Sequence, residues 1–246
     1  MSKIEWTEQT WNPITGCTKI SPGCKHCYAE AMARRLEAMG VRGYENGFQL
    51  SLLPERLNQP TQRTKPAVYF VNSMSDLFHE DVPDSFIDQV FDTIWRTPHH
   101  TYQILTKRAD RLADYFSSRR PPNNTWLGVS VENRKYGVPR IAHLRNVKGA
   151  SVRFLSVEPL LEDVGKLNLR GIHWVIVGGE SGPKARPMKP EWVEAIKNQC
   201  TAAGVAFFFK QWGGWGADGK KRHKKENGRI LNGRTWDERP QTELRL

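Results

Sequence analysis

A short apolar run rich in β-branched and aromatic residues, then polar residues, then a segment of helical spacing, recurs six or seven times along this chain. Strands alternating with helices pair in parallel, because each helix carries the chain back across the sheet. Val68-Tyr69-Phe70-Val71 precedes Asp84 to Thr97, where Phe86, Ile87, Val90, Phe91, Ile94 and Trp95 form one apolar face behind a start signal at Pro83-Asp84. Tyr102-Gln103-Ile104-Leu105 precedes a helix over Ala109 to Phe116, and Trp126-Leu127-Gly128-Val129 precedes a weaker one near Val138 to Leu144. Val152 to Val157 and His173 to Val177 read as two more buried strands. The second leads to a helix over Pro190 to Ala203, with proline suited to its first position, and Ala206-Phe207-Phe208-Phe209 closes the series. A length of 246 residues suits one α/β barrel or two modest domains. No Gly-rich dinucleotide fingerprint follows the first strand. The expectation is therefore an α/β fold, a (β/α)6-7 partial TIM-type barrel over residues 1–210 with a short basic C-terminal hairpin appendage over 211–246.

In a β/α barrel, chemistry gathers at the carboxyl ends of the strands. Here those ends are polar: Asn72, Ser73, Ser75, Asp76 and His79 after one run, then Thr106-Lys107-Arg108, Ser130-Val131-Glu132-Asn133, Ser156-Val157-Glu158, Gly178-Gly179-Glu180 and Lys210-Gln211-Trp212. Six such endings together point to a polar cavity at one rim. With 38% hydrophobic and 10% aromatic residues, there is ample material for a core, which excludes disorder of the whole chain. The surplus of 37 Lys+Arg over 26 Asp+Glu, a formal +11, favours a polyanionic partner. No run approaches the roughly 20 apolar residues of a membrane span, and Met1 to Asn12 carries no apolar signal region, so the expected location is cytoplasmic, away from membranes.

Three of the four cysteines, Cys17, Cys24 and Cys27, are separated by six and then two residues, with Pro22-Gly23 providing a turn between them. The helix beginning at Tyr28 would set its positive end beside the thiolates. A structural zinc completed by His26 or His79 is one reading. The other is a [4Fe–4S] cluster held by three cysteines, with one iron left open for a small molecule. Cys200 shares a helical stripe with Trp192 and Ile196, so core packing explains it better than ligation.

A cysteine triad after the first strand of a β/α barrel, ending Cys-x-x-Cys-Tyr, resembles the radical S-adenosylmethionine (radical SAM) superfamily. That superfamily usually spaces its cysteines by three and two residues, so the loop here carries an insertion. Ser73-Met74-Ser75-Asp76, Leu105-Thr106-Lys107 and Ser130-Val131 are similar to the spore photoproduct lyase branch over roughly the first 130 residues. Cys24-Lys-His-Cys27-Tyr28-Ala29, Asn72-Ser-Met-Ser-Asp76-Leu-Phe, Phe154-Leu-Ser-Val-Glu158-Pro-Leu, Gly178-Gly-Glu180-Ser-Gly and Phe208-Phe-Lys210-Gln-Trp212-Gly resemble, over nearly the whole chain, a phage and prophage family of radical SAM-like proteins. The resemblance implies a [4Fe–4S] cluster on Cys17, Cys24 and Cys27 whose open iron chelates S-adenosylmethionine. An external electron donor would then drive reductive cleavage to a 5′-deoxyadenosyl radical that abstracts hydrogen from the substrate. By the same similarity Lys107 pairs with the methionine carboxylate, Ser73, Ser75 and Ser130 contact ribose or carboxylate, and Asp76 accepts from the amino group or a hydroxyl. Glu132, Glu158, Glu180 and Lys210 would line the cavity on the substrate side.

Two other readings compete. Paired glutamates among Glu132, Glu158 and Glu180 would suit a barrel hydrolase with structural zinc. A non-catalytic nucleic-acid-binding module is suggested by the C-terminal stretch, which carries ten Lys/Arg against five Asp/Glu from Phe207 onward. There Lys220-Lys-Arg-His-Lys-Lys225 lies among glycines, Trp212 and Trp215 are candidates to stack on bases, and Asn232-Gly233 marks a hairpin turn within Gly228 to Trp236. The combined expectation is a radical SAM enzyme acting on a nucleic acid base, in DNA or RNA, for repair or modification.

Overall fold

Each apolar run of the sequence forms a strand in the computed structural model, which describes residues 4–241. In chain order the elements are β1 (Gln9–Trp11), β2 (Ile14–Thr15), α1 (Tyr28–Ala38), β3 (Ser51–Leu52), β4 (Val68–Val71), α2 (Asp84–Arg96), β5 (Thr101–Thr106), α3 (Ala109–Tyr115), β6 (Thr125–Ser130), α4 (Arg140–Asn146), β7 (Val152–Val157), β8 (Trp174–Gly178), α5 (Pro190–Ala203), β9 (Ala206–Gln211) and α6 (Lys224–Asn227). Seven strands make one parallel sheet in the order β1-β4-β5-β6-β7-β8-β9, curled into a half-barrel, while β2 and β3 form a separate antiparallel pair.

Period-two alternation sorts the strand side chains onto two faces. Outward-facing Tyr69, Val71, Tyr102, Ile104, Leu127, Val129, Leu155, Val157, Val175, Val177, Phe207 and Phe209 join the main core beneath the helices. The intervening positions face the concave side, where Phe70, Trp126, Phe154, Trp174, Ile176 and Phe208 pack around Trp6 as an aromatic floor. Further toward the carboxyl ends of the strands the same face turns polar, with Lys107 just after β5, and Ser130, Ser156 and Lys210. Glu132 and Glu158 lie two residues beyond Ser130 and Ser156. Filling the floor leaves only the carboxyl-end rim open to chemistry.

Two expectations about helices change. Trp95 is 53% exposed, because the apolar face of α2 centres on Ile87, Val90, Phe91 and Ile94, and one residue past Ile94 turns about 100° away. The crossover from β7 to β8 has no helix. It covers the sheet with buried Leu160, Val164, Leu167, Leu169 and Ile172 in irregular chain instead.

The C-terminal turn forms where expected, with Asn232 and Gly233 both at positive φ (51° and 76°), but the pairing is limited to Leu231 and Arg234. Beyond it the chain lies along the outer edge of β9: Asp237 bridges Phe208, and the Phe209 amide donates to the Trp236 carbonyl at 2.9 Å. The Glu238 carbonyl accepts from the Trp174 indole at 2.8 Å. Leu231 and Trp212 belong to the main core, so this stretch is packed onto the barrel and protects an otherwise unpaired strand edge.

Gly128 faces the aromatic floor, where an added Cβ would stand 2.4 Å from the Phe154 ring. Gly128→Ala is therefore expected to destabilise the protein by about 1–3 kcal/mol through overpacking, read from the denaturant midpoint. Combining it with Phe154→Leu should recover part of that loss, and strict additivity of the two changes would refute the contact.

Candidate functional site

The cysteine loop leaves the sheet after β1 and is turned by β2 and Gly16. Gly16 has φ +77°, and a Cβ there would lie 2.0 Å from the Gln49 carbonyl oxygen, so only glycine fits. The next amide, that of Cys17, donates to the Phe48 carbonyl at 3.2 Å. Pro22–Cys24 forms one 3-10 turn, with the Cys24 amide donating to the Ser21 carbonyl at 2.9 Å, and Cys27 is the N-cap residue of α1. All three thiols are free and half-buried at the rim. Cys200 is fully buried on α5 in the main core, where burial pushes its thiol up to about 12. The loop therefore has no fourth cysteine.

Buried His79, considered as a zinc ligand, has both ring nitrogens engaged elsewhere, Nε2 with the Thr18 hydroxyl at 2.9 Å and Nδ1 accepting from the Asp81 amide at 3.2 Å. Among the described residues no three His, Cys, Asp or Glu side chains form a ready metal cage. The donor set is three thiols on one loop, which fits a cluster with one open iron better than a closed four-ligand zinc site.

Beside the loop, Lys107 points inward and its Nζ donates to the buried Ser130 hydroxyl at 3.1 Å. Asp76 takes four donors: the Thr106 hydroxyl (2.6 Å), the Lys107 and Phe78 amides (both 3.0 Å) and Arg108 Nη1 (3.3 Å). It knots the end of β4 to the end of β5 and so orients Lys107. Ser73 donates to Asn12 Oδ1 at 3.1 Å and Ser75 to the Ile14 carbonyl at 2.8 Å, which leaves their oxygens able to accept. Tyr28, the exposed first residue of α1, donates its hydroxyl to the Ser73 carbonyl and sets an aromatic ring at the rim.

The three strand-end glutamates are separately partnered and do not form a carboxylate pair. Glu132 is wholly buried, pairs with Arg140 Nη1 at 2.6 Å and accepts from the Ser21 hydroxyl. Glu180 receives both Nε (2.8 Å) and Nη2 (2.5 Å) of Arg186. Glu158 faces Lys210 at 3.2 Å and accepts from the Ser156 hydroxyl at 3.3 Å, and Gly178 makes room for its carboxylate. Burial alone would raise the carboxyls of Glu132 and Glu180. Lys107 and Arg140 around Glu132, and Arg186 around Glu180, outweigh it and hold both below the usual carboxylate range. A hydrolytic pair needs one carboxyl held protonated near neutral pH, and neither of these groups is.

The basic C-terminal segment is docked against the loop after β8. The Gly214 amide donates to the Glu180 carbonyl (2.8 Å) and the Trp215 indole to the Ala185 carbonyl (2.7 Å). Lys221 Nζ reaches the Pro183 carbonyl at 2.5 Å. Trp212, expected to offer a stacking face, is buried and donates to the Ile230 carbonyl at 2.9 Å, because its ring is needed in the core. Lys220, Lys224 and Lys225 are exposed, the latter two on the single turn of α6.

The site residues that sequence reasoning missed are the arginines Arg140 and Arg186. Arg108, already among the polar strand ends after β5, donates to Cys17 Sγ at 3.5 Å. Arg140 on α4 and Arg186 in a loop carry no spacing signal that ties them to Glu132 and Glu180.

No curated protein matches the chain. Among solved structures, a spore photoproduct lyase variant with bound AdoMet and dinucleoside spore photoproduct is similar over 70% of this chain and 56% of its own, at 16% identity and a TM-score of 0.45. The lyase complexed with dinucleoside spore photoproduct matches over 80% and 62%, at 16% identity and a TM-score of 0.47. A further variant of it matches over 73% and 57%, at 18% identity and a TM-score of 0.49. The chain thus spans 56–62% of the length of these lyase chains. A family model described as "Protein of unknown function (DUF5131)" matches residues 1–240. Matched over nearly its full length, this chain belongs to the DUF5131 family.

Proposed function

We propose that this protein is a radical SAM enzyme acting on a nucleic acid base. The observation that carries the reading is the presence of three free thiols on one short rim loop, with the Lys107–Ser130 pair at the next strand ends and no fourth cysteine on that loop. Cys17, Cys24 and Cys27 would hold a [4Fe–4S] cluster, which with bound S-adenosylmethionine supplies a 5′-deoxyadenosyl radical for hydrogen abstraction, given an external electron donor. Lys107 offers a charged donor for the methionine carboxylate, and Ser130 keeps its ammonium oriented toward the cavity. Ser73 and Ser75 present acceptor lone pairs for ribose hydroxyls, and Asp76 acts by fixing Lys107. Glu158 and Lys210 offer an acceptor and a donor on the substrate side. The aromatic floor beneath excludes water from the inner end of the cavity.

The nucleic acid partner is supported by where the positive charge lies. Lys220, Lys224 and Lys225 are carried beside the loop after β8, whose Arg186 touches the cysteine loop at Pro22, so a bound phosphate backbone would pass close to the rim. Repair and base modification in DNA or RNA are both open to such a site. The phage and prophage resemblance belongs to the same proposal.

Three measurements test the reading. After anaerobic reconstitution, Cys17→Ala, Cys24→Ala and Cys27→Ala should each lose most of the iron while Cys200→Ala retains it. Stoichiometric zinc without iron in wild-type protein would overturn the cluster.

Lys107→Ala and Ser130→Ala should keep the iron and bind S-adenosylmethionine about 10- to 150-fold more weakly, the loss expected for a charge-assisted hydrogen bond of roughly 1.5–3 kcal/mol. Unchanged affinity in both, measured by anaerobic calorimetry, would remove the cofactor from this pocket.

Replacing Lys220, Lys224 and Lys225 by Ala should flatten the salt dependence of duplex DNA binding by up to about 2.7 in log–log slope, at about 0.9 for each phosphate no longer neutralised. Arg222 is left in place because it is tied to Asp218 at 2.6 Å. Wild-type protein that makes 5′-deoxyadenosine but binds neither DNA nor RNA at low salt would shift the substrate class. Binding without any 5′-deoxyadenosine would favour a non-catalytic module.

A further inference from the structure

The residues between Cys17 and Cys24 are held at three points by arginine–carboxylate pairs at the sheet's rim. Arg108, held by Glu80 (2.6 Å) and Asp76 (3.3 Å), donates to the Thr18 hydroxyl at 2.7 Å. Arg140 pairs with Glu132, whose other oxygen takes the Ser21 hydroxyl. Arg186 pairs with Glu180 and donates to the Pro22 carbonyl at 3.0 Å. Ser21 and Pro22 are adjacent, and the Ser21 carbonyl accepts the Cys24 amide. The Ser21 hydroxyl also lies 3.7 Å from Cys24 Sγ. Gly23 sits against Glu132 so closely that an added Cβ would be 3.0 Å from its Cγ. The turn that carries Cys24 is therefore seated on two ion pairs contributed by distant strand ends.

We infer that the pairs Glu132–Arg140 and Glu180–Arg186 are positioning residues that fix the seat of Cys24, and that they are this chain's means of holding a long first cysteine spacing. Left to itself, a six-residue spacer would sample many conformations, and its thiol would meet its partners only at the entropic cost of ordering it. Anchoring Ser21 and Pro22 removes most of that freedom before anything binds. It also accounts for the glutamates' burial and lowered pKa values without a role in proton transfer. The purpose of this clamp rests on the cluster reading, but its existence does not.

The test uses Ser21→Ala and Arg186→Ala, singly and combined, which cut the two anchors and leave both buried glutamates in place. In reduced, metal-free protein, iodoacetamide labelling of each cysteine is followed by peptide mass spectrometry. Cys24 should react on the order of tenfold faster in the double variant, as expected when restraint worth one or two hydrogen bonds is lost, while Cys27 on α1 keeps its rate. Arg186→Lys, which retains the charge without the guanidinium fork, should fall between wild type and Arg186→Ala. After anaerobic reconstitution, the double variant should surrender iron to a chelator faster than wild type. Unchanged Cys24 labelling, or equal acceleration of Cys17, Cys24 and Cys27, overturns the clamp. Wild-type protein that takes up no iron refutes the cluster reading and leaves the labelling result to stand alone.

Discussion

The packing around Trp174, edge-to-face with Trp6, Trp126 and Phe208 and tilted against Phe154, fills the concave side of the seven-stranded half-barrel. A half-barrel has no opposite wall to fill its concave side, and this one is filled from within. The Trp174 ring stands 5.9 Å from each of Trp126, Phe154 and Phe208 and 6.3 Å from Trp6. Such pairs contribute about 0.5–1.5 kcal/mol each beyond the area they bury. The absence of a side chain at Gly128 and the strap along β9, which satisfies the Trp174 indole, are both consequences of that packing. The floor is not wholly apolar: buried Gln103 lies in register with Phe70 and Trp126, and its Nε2 donates to the Trp6 carbonyl at 3.3 Å.

At the rim, the pairing of charges divides the groups by what they remain free to do. Asp76, Glu132 and Glu180 spend their oxygens on the protein itself and hold chain segments in place. Lys107 is paired with the Ser130 hydroxyl, and Glu158 and Lys210 with each other, and these contacts tie down no loop. Position at a strand end is therefore a weak guide to chemistry until the countercharge is known.

The same division governs what is legible in the sequence. The strands and most helices are legible because their signals are local: β-branched runs from Val68 to Val71 and from Val152 to Val157, and the stripe Ile87, Val90, Phe91, Ile94. The cysteine loop is legible because its three thiols are neighbours in sequence. Cys200 is placed in the core by its stripe alone. The arginine partners are not legible. Arg186 meets Glu180 across a short loop but also reaches Pro22 from the far end of the chain, and Arg140 approaches Glu132 only because α4 folds back onto β6. Trp212 misleads because a tryptophan among glycines and lysines looks the same whether it stacks on a base or fills a core. The long apolar crossover between β7 and β8 likewise has no period from which its course could be inferred.

The floor also orders events during synthesis. Trp6 precedes the rest of the floor in the chain, yet its seat is built by Phe70, Phe154 and Trp174, and the Trp174 indole finds its acceptor only when the segment around Glu238 lies along β9. A growing chain therefore carries Trp6 without its seat until the later strands have been made. The barrel interior dries only as the last strand arrives, so a nascent or prematurely ended chain exposes to other proteins the same aromatic face that the finished one conceals.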